Sequence, residues 1–354
     1  MTTTTKRLLG SVGVALSLAL VVSGCSNNAD DGADTPAASD QATESLLPAA
    51  EGNTEYPLTL ETPYGETVLE ERPERVAAIV PNAIDTELLL SLGVTPVLSS
   101  NFVSEGGYLA EHGAEELTTY EYMMGEDIPI EAIAASEPDV IIAVGWVPGF
   151  GDLGDYYDQL TSIAPVAASP ASDQRMIRWQ DSIEIIGEAL DLSDTANSVI
   201  EQHDERFAEI REEHPEFAGK TATWAIYYGP ANGLQYFSQE GSAPEGFLTD
   251  LGLEKNPEAA SFTGDTTVSD ELVGKIDADV LLLGQSAAAS DAELEALTGR
   301  DLFQNLGAVT SGRFIQLPPK TDDGGDLLWA ITSGGPIGNA WAADHLVPLL
   351  ADTL

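Results

Sequence analysis

The 354-residue sequence has one cysteine, Cys25, so no disulfide can form within the chain and its fold must rest on its core alone. Cations are scarce as well: 14 Lys plus Arg stand against 59 Asp plus Glu, a formal net charge of −45. Such a balance excludes nucleic acid as a partner, because binding by counterion release needs clustered cations. The four histidines, His112, His203, His214 and His345, are dispersed, which argues against a zinc or manganese receptor. His203 falls on an apolar helical face and reads as packed. There is no nucleophile elbow, metal-ligand spacing or phosphate loop, so the chain reads as a non-enzyme without a cofactor. A secreted hydrolase, the alternative from another class, would need a strand-end nucleophile beside a histidine. An anchored adhesion or scaffold protein would have a filled cleft. The surplus acid reads as a solvated surface suited to a salty exterior, where self-repulsion is screened.

The amino end reads as an address. Lys6 and Arg7 precede an uncharged apolar run, Leu8 to Val22, too short to span a bilayer comfortably. It closes on Val22-Ser23-Gly24-Cys25, which resembles the bacterial lipobox; an ordinary secretory site is the alternative. The resemblance implies that residues 1–24 are a signal peptide. Cys25 would then be acylated and would anchor the protein to the outer face of the cytoplasmic membrane. Residues 25–55, rich in Asn, Asp, Ala, Thr, Pro and Ser, cannot bury enough apolar surface to offset chain entropy and read as a disordered tether.

Order is expected from Tyr56. Pro57 to Glu70 reads as a hairpin around Pro63-Tyr64-Gly65-Glu66. Arg75 to Val80 is apolar throughout after its leading arginine, as in a strand buried on both faces of a parallel sheet, and Ile84 to Leu92 is a helix stopped by Gly93. The same alternation recurs at Ile130 to Ser136, Asp139 to Val144, Tyr156 to Ile163 and Pro165 to Ala168, giving an α/β lobe over 56–172. From 173 to 215 apolar residues fall at helical spacing. A helix over 194–214, with Ser193 as its N-cap, would be about 30 Å long and could bridge two lobes. Strands at Thr221 to Tyr228, Leu234 to Phe237, Asp279 to Leu283 and Arg313 to Leu317 then alternate with helices at Gly246 to Leu251, Asp270 to Ile276 and Asn339 to Leu350. They give a second α/β lobe over 216–354.

Several strings, in order, resemble the periplasmic siderophore, haem and cobalamin binding proteins: Arg72 to Ile79, Asp85 to Val97, Ile133 to Ile142, Leu160 to Val166, Ile276 to Leu281 and Leu306 to Val309. The resemblance covers about residues 56 to 350. It implies two Rossmann-like lobes joined by a single long helix (the helical-backbone solute-binding fold), a shallow cleft and small lobe movements. It also implies a monomer that captures a ferric siderophore, or alternatively haem or cobalamin, and delivers it to the transmembrane subunits of an ABC permease. Glu87 matches the glutamate that in this family docks onto permease arginines, and Glu245 stands one residue from the position of its second-lobe counterpart.

Ligands of open α/β sheets meet the loops past the carboxyl ends of the strands. The candidates are Asn82, Asn101, Phe102 and Trp146 in the first lobe and Tyr227, Tyr228, Gln285 and Ser286 in the second. Trp146, following Gly145 at a strand end, is the leading candidate, as an indole that could stack on a planar chelate. Only one of Tyr227 and Tyr228 can face the cleft, because strand side chains alternate; either is a possible haem ligand. Trp329 lies in a glycine-rich segment, Asp323 to Gly338, that reads as a cleft-side loop. Among the cations, Arg175, Arg178 and Lys320 could pair with chelate oxygens, and Arg178 is preferred. The acidic field disfavours anionic ferric tricatecholates and suits neutral or cationic ferric hydroxamates.

Overall fold

Three short apolar strands, Val76–Ala78 (β3), Val140–Ala143 (β6) and Val166–Ala168 (β7), form the parallel sheet at the centre of the first lobe in the order β3-β6-β7. A computed structural model of the chain describes residues 45–123, 125–171 and 177–354. The expected signal peptide, Cys25 and Arg175 lie outside the described residues. Every residue of these three strands is buried, which explains why the runs read as continuously apolar rather than alternating. Val76, Ala78, Val140 and Ile142 pack under helices Ile84–Ser91 (α1) and Trp179–Ala189 (α5). Ala77, Ile141, Ala143 and Val166 point the other way, toward Ile130–Ala135 (α3) and Gly154–Thr161 (α4). A hairpin, Leu58–Thr62 (β1) with Gly65–Leu69 (β2), precedes the sheet, and Ser99–Ser100 (β4) pairs with Thr119–Tyr120 (β5) beside it. The short helix Phe102–Glu105 (α2) follows β4.

The second lobe repeats the scheme. Thr221–Tyr227 (β8), Glu254–Lys255 (β10), Val280–Gln285 (β11) and Phe314–Gln316 (β12) are parallel in the order β10-β8-β11-β12, and Leu234–Tyr236 (β9) runs antiparallel to β8. Ala243–Asp250 (α7), Leu327–Ser333 (α11) and Pro336–Thr353 (α12) cover one face. The other is covered mainly by Asp291–Thr298 (α8), Asp301–Gln304 (α9) and Gly307–Thr310 (α10).

Between the lobes runs Ser193–Glu213 (α6), 21 residues and so about 30 Å long, burying Ala196, His203 and Phe207. His203 is packed, as its apolar helical face suggests: its ring stacks on Phe207 at 4.3 Å and meets Trp179 edge-on at 4.9 Å. The two lobes and their connecting helix match the fold expected from the sequence. They are also joined directly. Val103, Tyr108, Leu109 and Ala114, from the chain after β4, are buried in the same cluster as Trp224, Phe247 and Leu346 of the second lobe.

Three expectations are corrected. Residues 45–55 are packed rather than a free tether: Leu47 is buried with α1 and α5, and the Leu46 carbonyl accepts the Thr95 N–H at 2.8 Å. Ser193 does not cap α6. Instead the Glu51 carboxylate accepts the N–H groups of Asp194 at 2.7 Å and Thr195 at 2.9 Å, an anion at the positive end of a helix. The segment Asp323 to Gly338 is not all loop. Asp326 caps α11 by accepting the Leu328 N–H, and Gly334, at φ +69°, ends it.

Candidate functional site

Helix α1 begins at Ile84, whose N–H donates to Asn82 Oδ1 at 2.9 Å, and β6 ends against it: the Gly145 N–H donates to Asp85 Oδ1 at 2.9 Å. No side chain fits at Gly145, where a Cβ would lie 2.4 Å from Ile84 Cγ2 and 2.9 Å from Asp85 Oδ1. This strand end forms one wall of a cavity of about 290 Å³ between the lobes. The start of α5 supplies Ile177, Arg178, Trp179, Gln180 and Ser182; the second lobe supplies the start of α7, from Gly241 to Asp250, together with Ser333, Gly334 and Asn339. The volume is at the lower limit for small-molecule sites.

Arg178 lies at the N-cap of α5, and its Nε donates to Gln180 Oε1 at 3.2 Å. Across the cavity, desolvation raises the Asp250 carboxyl to about 6 against the opposing pull of the Arg178 guanidinium. Glu245 is half-buried in the first turn of α7, where the Gly241 N–H donates to its Oε2 at 3.2 Å. The cavity thus combines an arginine with two flanking acids. Gln180, Asn339 and Trp179 also line it, and the sequence reading named none of them.

The remaining candidates divide. Trp329, half-buried on α11, stacks on Phe102 across the lobe boundary with ring centroids 5.4 Å apart, and Phe102 meets Tyr122 edge-on. Lys320 crosses the same boundary to the Glu105 carbonyl, 3.3 Å away. Asn82 and Asn101 are half-buried, but each uses its Oδ1 locally, accepting the N–H of Ile84 at 2.9 Å and of Tyr122 at 3.1 Å. Gln285 donates to the Ala289 carbonyl at 2.8 Å and holds the loop after β11. Tyr228 packs against Phe237, and burial pushes its hydroxyl up to about 12.

Trp146 does not face the cleft. It is 2 % exposed, packed with Phe150 and Tyr156, and its indole N–H donates to the Gly151 carbonyl at 3.0 Å, so the loop following β6 closes over it. Tyr227 is 6 % exposed and packs into the second-lobe core with Tyr236 and Leu283, which removes it as an axial ligand. Glu87 is fully buried: Oε2 accepts from the Tyr108 hydroxyl at 3.0 Å and Oε1 from the Gly338 N–H at 2.7 Å. A permease arginine cannot reach it. Glu87 joins α1 of the first lobe to α12 of the second instead.

Residues 81–321 match the family model described as periplasmic binding protein. The chain is similar to a probable siderophore-binding lipoprotein of Bacillus subtilis, YfiY, with 26 % identity over 74 % of this chain and 78 % of the relative. It is also similar to the iron(3+)-hydroxamate-binding protein YxeB of the same organism, with 23 % identity over 85 % and 86 %. Among solved structures, PiaA of Streptococcus pneumoniae in complex with ferrichrome superposes with a TM-score of 0.66 and 26 % identity, covering 83 % of this chain and 98 % of that one. Two α/β lobes, a bridging helix, an interlobe cavity and a match over most of the chain agree: this protein belongs to the periplasmic binding protein family.

Proposed function

We propose that the protein is the extracytoplasmic solute-binding component of an ABC importer and captures a ferric siderophore in the interlobe cavity, with a neutral or cationic ferric hydroxamate as the preferred class. The observation that carries this reading is the cavity itself, which is walled by both lobes and holds Arg178 where chelate oxygens could meet it. The names of the relatives support iron chelates as cargo: one is a hydroxamate-binding protein and another was solved with ferrichrome. The flanking Glu245 and Asp250, and a net charge of −45, favour ligands that are not polyanions. Trp179, which lines the cavity, replaces Trp146 as the proposed aromatic contact, and Trp329, stacked on Phe102 at the lobe boundary, stays a proposed contact outside that cavity. Cys25 and the apolar run before it support export and lipid attachment, and Glu245, part-exposed on α7, stays a proposed contact for the permease.

Titrating the protein at low salt with ferrioxamine B, ferrichrome, a ferric tricatecholate and haem, read by tryptophan quenching, tests the proposal. The hydroxamates are expected to bind tightest, and Arg178→Ala to weaken them about tenfold, the loss of one charge-assisted hydrogen bond. Tightest binding of the tricatecholate would defeat the hydroxamate preference. A Soret shift with haem and no response to any siderophore would replace the siderophore reading altogether.

A further inference from the structure

Glu87, in the first turn of α1, is fully buried with no cation among its partners: it accepts from the Tyr108 hydroxyl at 3.0 Å, the Gly338 N–H at 2.7 Å and the Ile337 N–H. A carboxyl without a counter-charge is costly to take out of water, and an amide in its place would spare the fold that cost. Stability therefore does not account for an acid at this position. Its place between the lobes does.

Both walls of the interlobe cavity are built within a few residues of Glu87 or its partners. On the first lobe, Ile84 lines the cavity from the same turn of α1, and Asp85 holds Gly145 in that wall by its N–H at 2.9 Å. On the second lobe, Ser333 and Gly334 line it at the end of α11, and Asn339 lines it near the start of α12. Gly335 and Gly338 lie among these three, and the Glu87 carboxylate is wedged against both. A Cβ on Gly335 would collide with its two oxygens, and one on Gly338 would lie 3.4 Å from Oε1. The N–H groups that Glu87 accepts belong to the first turn of α12 and have no partner within their own helix, so one anion anchors that turn. A hydrogen bond between Ser333 and the Tyr108 hydroxyl ties the end of α11 into the same cluster.

On the siderophore reading above, we infer that Glu87 is a positioning residue for ligand binding: from behind the cavity it fixes the second-lobe wall against the first, and the fit of the ligand depends on its bonds. Glu87 never touches the ligand. It acts through the turn that joins α11 to α12.

Affinities for ferrichrome and ferrioxamine B, read by tryptophan quenching, with the melting temperature of each ligand-free variant measured alongside, test this. Glu87→Leu, which fills the space but accepts no hydrogen bond, should weaken the tighter-bound chelate at least about tenfold. Glu87→Gln still accepts from Gly338 and meets the Tyr108 hydroxyl through its amide, so it should bind within about twofold of wild type. Tyr108→Phe removes one bond and should weaken binding about threefold; it carries the test alone should Glu87→Leu not fold. Leu346→Ala, in the buried core farther along α12, should lower the melting temperature and leave affinity within about twofold. Glu87→Leu and Tyr108→Phe proteins that bind as wild type does would overturn the positioning role and leave the siderophore reading standing. A loss in Leu346→Ala equal to that in Glu87→Leu would show that affinity only follows stability, and would overturn it as well. Wild-type protein that binds neither chelate would defeat the siderophore reading and this inference with it.

Discussion

Glu87 lies where two lobes meet and is removed from water, and that desolvation raises its carboxyl from 4.5 to about 7 against the hydrogen bonds of Gly338 and Tyr108. The direction of its effect follows. Below about 4.5 the folded and unfolded chains both hold the proton and burial of a charge costs nothing. Between 4.5 and about 7 the unfolded chain ionises first, so stability falls as pH rises, and above about 7 the whole penalty stands, roughly 3 kcal/mol for that interval. Glu87→Gln should therefore raise the melting temperature by several degrees at pH 8, with the gap closing below about pH 5. Calorimetry across that range checks it, and a gap independent of pH would show that ionisation is not the cause. Asp85, also raised to about 7 by desolvation, is common to both proteins and does not enter the difference. None of this is legible in the sequence, because the partner of Glu87 is Gly338, 251 positions away. Trp146 failed for the opposite reason. Its partner, the Gly151 carbonyl, is five residues on, but a loop folding back over an indole leaves no periodic trace.

At the level of elements, the strands were the most legible part. Val140–Ala143 and the first four residues of Val280–Gln285 are apolar on both faces, and such runs declare a parallel sheet. The bridging helix was legible from spacing, but its cap was not, since Glu51 reaches Asp194 and Thr195 from 143 and 144 residues away. Those bonds, with one from the Thr195 hydroxyl, hold the Glu51 carboxyl below its ordinary value despite the desolvation that would raise it. Glu51→Ala should cost about 1 kcal/mol, as for other lost N-caps. The contribution of a carboxyl lowered in the folded state is present above its unfolded pKa and fades as the solution is acidified. The difference in melting temperature between wild type and Glu51→Ala should accordingly shrink below about pH 4. Helix α11 escaped notice because Gly324, Gly325, Gly334 and Gly335 bracket only seven helical residues, although Asp326 before Leu327-Leu328-Trp329 is a fair start signal.

For the molecule as a whole, two lobes could be read from alternation along the chain, but the seam between them could not. Segment 102–117 belongs to the first lobe by connection and shares a core with the second by packing. Opening the lobes would expose Val103, Tyr108 and Leu109, each at most 6 % exposed, and break the Asp326 to Gly106 hydrogen bond of 2.9 Å. Wide hinge closure is therefore disfavoured. Small-angle scattering with and without a bound ferric hydroxamate should give radii of gyration within about 1 Å of each other, with the ligand read instead as a rise in melting temperature. A large contraction would mean that the shared core divides on binding.

The strap formed by residues 45–54 has one more consequence. It is fixed at the Thr95 turn and at Asp191, beyond the far ends of α1 and α5, whereas Ile84 and Trp179 at the near ends border the cavity. With 8 and 11 residues, those helices set the two locations about 12 to 16 Å apart. Tension along the leading chain would be taken up on the side of the first lobe away from the cavity. The cavity would keep its shape and its opening whatever load the chain before Ser45 carried.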